Sequence, residues 1–298
     1  MMDIPDYPEE RPIDLDDKGF LNALFYRLQP RVSEFTFANL YLFRIVHQYR
    51  LTKVGDTLVI LARGDGGDRY FLLPPAEGVE KTLSILLGDG MTLYGADTVF
   101  VDRYLRRKEF EIFTDRDNYD YLYSKSDMAE LPGNRFHKKK NKINYFTSRH
   151  EYKIEPYEKR HLQGCLDLLG VWLRAHENME GGNSGALETE AAAEALNMAV
   201  PLGLEGVVAI VEGQVKAFAI GEMLNRDTSV CHFEKAEPFL DGLYQLIDRE
   251  FNRLLFSNCI YVNREQDLGI MNLRKSKLSY HPIELIEKYR VKLIPHSE

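Results

Sequence analysis

What this sequence lacks narrows its class before any motif is read. No stretch approaches the roughly 18 uninterrupted apolar residues that a spanning helix needs, so no transmembrane segment is expected. Cysteine is scarce: Cys165, Cys231 and Cys259 are odd in number, widely spaced and set among apolar neighbours, which reads as buried reduced thiols rather than disulfides. Positive charge is outnumbered, 38 Lys and Arg against 46 Asp and Glu, and the net charge of -8 argues against a protein that binds nucleic acid over its whole surface. The acidic opening Met1–Asp17 has none of the basic-then-apolar order of a secretory leader, and a cytoplasmic protein is the expectation. His137 and His281 stand at no metal-ligand spacing, so no metal is expected, and no Ser-His-Asp arrangement presents itself.

What is present is ordinary for a globular protein: 44% hydrophobic and 28% charged residues over 298 positions, a length that favours two domains. Ser33 or Thr36 starts an aromatic, buried helix. Leu51–Ala62 and Tyr70–Pro74 read as paired strands around the Gly64–Asp68 loop, Thr98–Phe100 as a short extended segment, and Asp102–Arg107 as a polar helix. Glu109–Thr114 and Tyr119–Ser124 are aromatic strands. Pro132-Gly133 then punctuates the chain, and the domain junction is placed there. In the second half, Leu162–Leu173 is an amphipathic helix, Asn178–Gly185 a polar, Gly-rich loop that could serve as a lid, and Thr189–Val200 a helix. Gly206–Val211, Val215–Leu224 and Thr228–Ala236 are consecutive strands, followed by a helix through Leu243, Ile247 and Phe251, a strand at Cys259–Asn263 and a helix at Ile270–Tyr280.

Three constellations carry chemistry. Arg135, His137, Lys138, Lys139, Lys140, Asn141 and Lys142 form the densest basic patch of an acidic chain. Such a run is either a solvated helix face or a contact for the phosphates of tRNA or of a phosphorylated small molecule. Arg103, Arg106, Arg107 and Lys108 are a weaker cluster of the same kind. His232, Glu234 and Lys235 lie on a central strand, where ionisable groups are costly unless paired or lining a cavity. A regular strand puts His232 and Glu234 on one face and Lys235 on the other, and a bulge would bring Lys235 round. Arg264, Arg274, Lys275 and Lys277 follow; Lys275 and Lys277 point in different directions on a helix, so at most one lines a site, and Glu265 and Asp267 could neutralise the group as plain ion pairs. An arginine or lysine here would stabilise the oxyanion of acyl transfer, and a desolvated lysine would serve as base, with Tyr280 as a hydroxyl contact or a core residue.

The strand-helix order of 151–298 resembles the GNAT acyltransferase superfamily. His232-Phe-Glu-Lys-Ala236, Tyr261-Val-Asn-Arg-Glu-Gln-Asp-Leu-Gly269, Leu273-Arg-Lys-Ser-Lys-Leu-Ser-Tyr-His-Pro282 and Phe136-His-Lys-Lys-Lys-Asn-Lys-Ile-Asn144 resemble soluble relatives of the phosphatidylglycerol lysyltransferase C-terminal domain. The resemblance implies an α+β fold of two GNAT-like mixed-sheet domains in tandem: a degenerate copy at 1–131, a basic connecting helix at 132–150 and a second copy at 151–298. It also implies aminoacyl-tRNA as donor, as in the lysyltransferase and the Fem aminoacyltransferases. The lysyltransferase's membrane-spanning half has no counterpart in these residues, although peripheral membrane contact fits. Where the family carries an acid and an arginine three apart on the mid-sheet strand, this chain has His232 and Lys235; Lys275 and Lys277 match the family better. The catalytic expectation is Lys235, His232, Glu234 and Lys277. The binding expectation is Arg135, His137, Lys138, Lys139, Asn141, Arg264, Arg274, Lys275 and Tyr280.

In GNAT enzymes a Gly-rich loop and helix amino terminus hold the coenzyme A pyrophosphate. The equivalent Glu237-Pro-Phe-Leu-Asp-Gly242 offers one glycine, a proline without an N–H and two carboxylates, which disfavours coenzyme A; Asp241 is expected to cap the helix. The functional expectation is therefore aminoacyl transfer to an amine or hydroxyl. Coenzyme A-dependent N-acyl transfer and a non-catalytic ligand-binding protein of the same fold are the alternatives.

Overall fold

The structure is a computed structural model and describes residues 4–64, 66–106, 109–176 and 182–294. In chain order the elements are β1 (Arg11–Pro12), α1 (Lys18–Leu28), α2 (Phe37–Leu42), β2 (Arg50–Val54), β3 (Thr57–Arg63), β4 (Arg69–Leu72), α3 (Val79–Gly88), β5 (Thr92–Asp97), α4 (Thr98–Tyr104) and β6 (Phe110–Thr114). They continue as β7 (Asp120–Ser124), α5 (Lys125–Glu130), α6 (His137–Thr147), β8 (Tyr152–Pro156), α7 (Leu162–His176), α8 (Gly182–Asn197), α9 (Ala199–Leu202), β9 (Glu205–Val211), β10 (Gln214–Met223) and β11 (Thr228–Ala236). The chain ends with α10 (Leu243–Leu254), β12 (Tyr261–Asn263), α11 (Met271–Leu278), β13 (Glu284–Ile286) and β14 (Lys288–Leu293).

The chain divides into two compact units, one running to Asp120 and resumed at Leu285, the other Tyr121–Glu284. The basic helix α6 therefore belongs to the second unit, and the last strand to the first, which differs from a division at 132–150. The first unit is built on a seven-stranded sheet of order β1-β2-β3-β4-β5-β14-β6, with β4 and β5 parallel. Strand β14 sits antiparallel between β5 and β6. Val59, Leu61, Phe71, Leu83, Leu86, Leu93, Phe100 and Val291 form its core.

Local chemistry explains where the sequence reading and the elements part. Leu51–Ala62 is a hairpin, because Gly55 takes a φ of 61° that turns the chain between β2 and β3. Thr98–Phe100 opens a helix instead of continuing a strand: the Asp97 side chain accepts from the Phe100 N–H and caps α4. The second half of the expected lid loop is the first turn of α8, while 177–181 lie outside the described residues, as do Asp65, Arg107 and Lys108. Thr36 caps α2 as its position suggests.

The second unit holds a mixed seven-stranded sheet of order β13-β7-β12-β11-β10-β9-β8, in which β11 and β12 are parallel. Helix α10 packs on β9–β11 and on α5 and α6, while α7 packs on β10, β11 and α8. Leu243, Leu246, Ile247 and Phe251 are the buried stripe of α10, each worth about 1.5–3 kcal/mol of transfer free energy when fully buried. No described helix is long and apolar enough to cross a membrane.

Candidate functional site

The site grows from an irregularity in the central strand of the second unit. Pairing of β10 with β11 steps from Ile220 opposite Phe233 to Gly221 opposite Cys231, which leaves His232 as the extra residue of a β-bulge. Only glycine fits opposite the bulge, since a Cβ on residue 221 would lie 1.9 Å from the Val230 carbonyl oxygen. The bulge turns the His232 ring, 2% exposed, between two carboxylates: Glu265 Oε1 is 2.8 Å from Nδ1 and Glu222 Oε1 is 3.0 Å from Nε2. Burial works to lower the imidazole pKa, but both hydrogen bonds and both negative charges outweigh it and raise it to about 10. His232 is thus a fixed cation that ties three chain segments together.

Past the bulge, β11 loses its neighbour. β12 pairs with it only from Thr228 opposite Tyr261 to Val230 opposite Asn263. The chain then turns away through a segment with Glu265 at φ 55° and Leu268 at φ 52°, left-handed backbone that non-glycine residues seldom hold. Side chains hold it there. The Asn263 side-chain oxygen accepts from Glu265 N at 2.7 Å. Lys277 donates to the carbonyls of Arg264 and Gln266. The fully buried Asp267 accepts from Arg274 Nε (2.9 Å) and Nη2 (2.7 Å), from the Tyr121 hydroxyl and from Gly269 N. Burial would raise the Asp267 carboxyl, but these donors bring it down to about 2.

Side chains bridge the opening that results. Arg264 Nη2 lies 3.0 Å from Glu234 Oε2 and Nη1 lies 2.9 Å from Asp248 Oδ2, the three side chains 14%, 12% and 3% exposed. The guanidinium carbon is 5.1 Å from the centre of the Tyr280 ring, and the Tyr280 hydroxyl hydrogen-bonds Asp248. Burial raises the Glu234 carboxyl, with Arg264 opposing and Asp248 adding to the rise; Asp248 is likewise raised by burial against the pull of Arg264. Two carboxylates facing one guanidinium in a dry setting hold protons more readily than they would in water.

Helix α6 brings the amine of Lys139 to this group. Phe136, Ile143 and Phe146 anchor the helix. Gly242, at φ 97°, lets it approach α10 so closely that a Cβ there would be 2.1 Å from the Lys142 carbonyl oxygen. Lys139 Nζ donates to Ser279 Oγ at 2.7 Å and sits 3.8 Å from the Tyr280 ring centre. Burial lowers its pKa to about 8, with Arg264 and Lys142 reinforcing the shift against Asp248 and Glu234. Asp241 does not cap α10, whose N-cap is Gly242; its carboxylate lies 2.9 Å from Lys142 Nζ instead.

The other expected residues are dispersed. The bulge does not bring Lys235 round: it lies at His232, pairing is regular from Phe233 to Ala236, and Lys235, following Glu234, faces the opposite side, 2.8 Å from Glu188 of α8 and 3.6 Å from the ring centre of Trp172 of α7. Trp172 Nε1 donates to the Tyr244 hydroxyl at 2.7 Å. Of the α11 pair, Lys277 is buried and Lys275 exposed. Arg135 pairs with Asp127, His137 bonds the Asn134 carbonyl, and Lys138 and Asn141 are exposed. In the first unit Arg103 lies over Tyr104 and Arg106 is 3.4 Å from Asp102. Asp248, Glu222, Trp172 and Glu188 were not singled out by the sequence reading. Asp248 had a signal, a carboxylate on the apolar stripe of α10 beside Ile247 and Phe251; Glu222 stood on an apolar strand with no comparable cue. Among the described residues no His, Cys, Asp and Glu converge as a metal set, and all three cysteines are free and buried.

Comparisons with known proteins fit this architecture. Residues 25–292 match the family described as phosphatidylglycerol lysyltransferase, C-terminal. A conserved protein of unknown function from Bacteroides thetaiotaomicron is 31% identical with a TM-score of 0.87, over 96% of this chain and 99% of that one. The structure of L-PGS from Bacillus licheniformis superposes with a TM-score of 0.63 at 12% identity, over 99% and 95% of the two chains. FemX does so with a TM-score of 0.58 at 8% identity, over 96% and 97%. An uncharacterised protein of Mycoplasmoides gallisepticum is 26% identical over 182 residues, 59% of this chain, so the match spans 56% of that curated relative. The fold is α+β, two GNAT-like mixed sheets in tandem. With its family match running through nearly every element from α1 to β14, the chain belongs to the phosphatidylglycerol lysyltransferase C-terminal family.

Proposed function

We propose that this protein transfers an aminoacyl group from aminoacyl-tRNA to an amine or hydroxyl acceptor, in the cytoplasm, and that the second unit supplies the reacting groups. One observation carries the reading: a half-buried amine of lowered pKa stands beside a buried, carboxylate-braced arginine at the place where β11 and β12 separate. The two carboxylates hold the Arg264 guanidinium over the Tyr280 ring, and its remaining N–H groups would serve the oxyanion that forms when an ester carbonyl is attacked. Lys139, neutral in part near pH 8, takes the proton of the attacking amine or hydroxyl. The new bond forms at the acyl carbon, the ester C–O bond breaks, and the same lysine returns the proton to the departing ribose oxygen.

The remaining expected residues then take supporting parts. Lys277 and His232 hold the 264–266 backbone and the Glu265 side chain, and Lys235 is committed to Glu188 and Trp172. Lys138 and Asn141, three apart on α6, provide an exposed charged and polar face for phosphates, and Lys140 points away from Lys138. The reading does not call for coenzyme A. The Asp241 carboxylate and the close seat of α6 against Gly242 crowd the first turn of α10, where a pyrophosphate would need free amides.

The test is to incubate the protein with a mixture of tRNAs charged with labelled amino acids while titrating salt. Salt-sensitive tRNA binding, with label passing to added amines, is expected. Absence of such binding together with micromolar affinity for acetyl-CoA by calorimetry would overturn the reading in favour of coenzyme A-dependent acyl transfer.

A further inference from the structure

The second unit contains several lysines that are wholly or partly withdrawn from water, and their partners differ in kind. Lys235 has Glu188 at 2.8 Å and Lys216 has Glu237 at 3.4 Å, while the exposed Lys142 has Asp241 at 2.9 Å. Lys125 donates to the Asn252 carbonyl, and Lys277 to two carbonyls. Lys139 alone among these described residues has a hydroxyl and an aromatic face, Ser279 Oγ and the Tyr280 ring, with no carboxylate within ion-pair distance. The ring and the hydroxyl favour the ammonium, but desolvation and the positive charges of Arg264 and Lys142 oppose it, and no carboxylate lies close enough to pair with it. An uncharged amine loses the cation–π contact but keeps the hydroxyl partner and loses no ion pair.

We infer that Lys139 is a selectively reactive amine that accepts acyl groups from anionic activated donors of the acyl phosphate class, a covalent modification site on α6. The nitrogen attacks the acyl carbon, the N–C bond forms, the C–O bond to phosphate breaks, phosphate leaves, and the amine proton passes to solvent. The donor class follows from the surroundings: Lys142 on the same helix and Arg264 on the 264–269 segment add positive charge, and Lys138 and Lys140 flank the site on a chain of net charge -8. Asp248 of α10 and Glu234 of β11 face the amine from the other side, but Arg264 pairs with both. The lowering of the amine to about 8 agrees with this placement. Acylation would remove the charge over Tyr280. The inference depends on the geometry of the amine alone and stands whether or not tRNA is the donor in the proposed transfer.

Wild-type protein, treated with limiting acetyl phosphate between pH 7 and pH 10 and mapped by peptide mass spectrometry, gives the test without any variant. Below pH 8, Lys139 should be acetylated about tenfold faster than Lys138 or Lys140. Its rate should level off above about pH 8.5, where a free lysine side chain would still be gaining reactivity. The preference should shrink with a neutral acetyl ester. Equal initial rates at the three lysines, or a Lys139 rate still climbing past pH 9, would overturn the inference; an equal preference with both reagents would overturn the anionic donor. Failure of tRNA binding with Lys139 still preferred would count against the transfer reading alone.

Discussion

Each unit buries a cation among carboxylates, and the two clusters differ in what surrounds them. In the first unit Lys288, 0% exposed, places Nζ 2.6 Å from Glu34 and 2.7 Å from Asp120. Asp120 also accepts from the N–H and hydroxyl of Ser33, so the ammonium, both acids and the segment leading into α2 form one knot. The second unit's Arg264 is likewise paired with two carboxylates, yet its cluster ends in a half-buried amine and rests on backbone at positive φ beside a bulge. Burial of charge therefore does not by itself mark a reactive centre. Strained backbone, a strand opening and an amine without a carboxylate partner distinguish the second cluster from a structural tie.

The contrast can be broken most forcefully at the tie. Lys288→Met should cost about 3–5 kcal/mol, measured by urea denaturation, because it leaves two buried carboxylates without their cation. His232→Gln should cost less, about 2–4 kcal/mol, and should also change the pH dependence of stability. The wild-type imidazole, raised in the folded state to about 10 from an unfolded value near 6.5, contributes stability that is fully present below pH 6.5 and is lost as pH rises through 10. Chemical denaturation across that window should therefore show wild type losing stability with rising pH more steeply than the variant. Lys139→Arg should change stability by less than about 0.5 kcal/mol while lowering transfer, since a guanidinium cannot act as base near pH 8. Replacing Lys138 by Gln should leave unfolding unchanged and lower the salt slope of tRNA binding by roughly one unit.

Much of the second sheet could be read from sequence, because β9, β10 and β11 are apolar runs separated by turns and α10 keeps one apolar stripe. The opposed directions of Lys275 and Lys277 followed from helical spacing alone. The bulge at His232 was only a conditional expectation: nothing local in the strand reports a register step that depends on Gly221 of its neighbour. Asp241 looked like a cap because short acids before helices usually are, yet the approach of α6 set Gly242 at the cap and gave Asp241 a lysine. Strand β14 returning to the first unit's sheet is a long-range pairing with β5 and β6 that no periodicity within Lys288–Leu293 encodes. Asp248 was legible in principle, as an acid directly beside Ile247 on the apolar stripe of α10.

The most direct test of the account compares wild type, Arg264→Gln and Lys288→Gln for the rate at which label leaves charged tRNA for an added amine, with folding of each checked by the fluorescence of the single tryptophan, Trp172. The account predicts that folded Arg264→Gln protein loses transfer by about 10²–10³-fold, whereas folded Lys288→Gln protein keeps it. Equal rates for wild type and Arg264→Gln would contradict it, because the buried guanidinium would then be a tie of the same kind as Lys288.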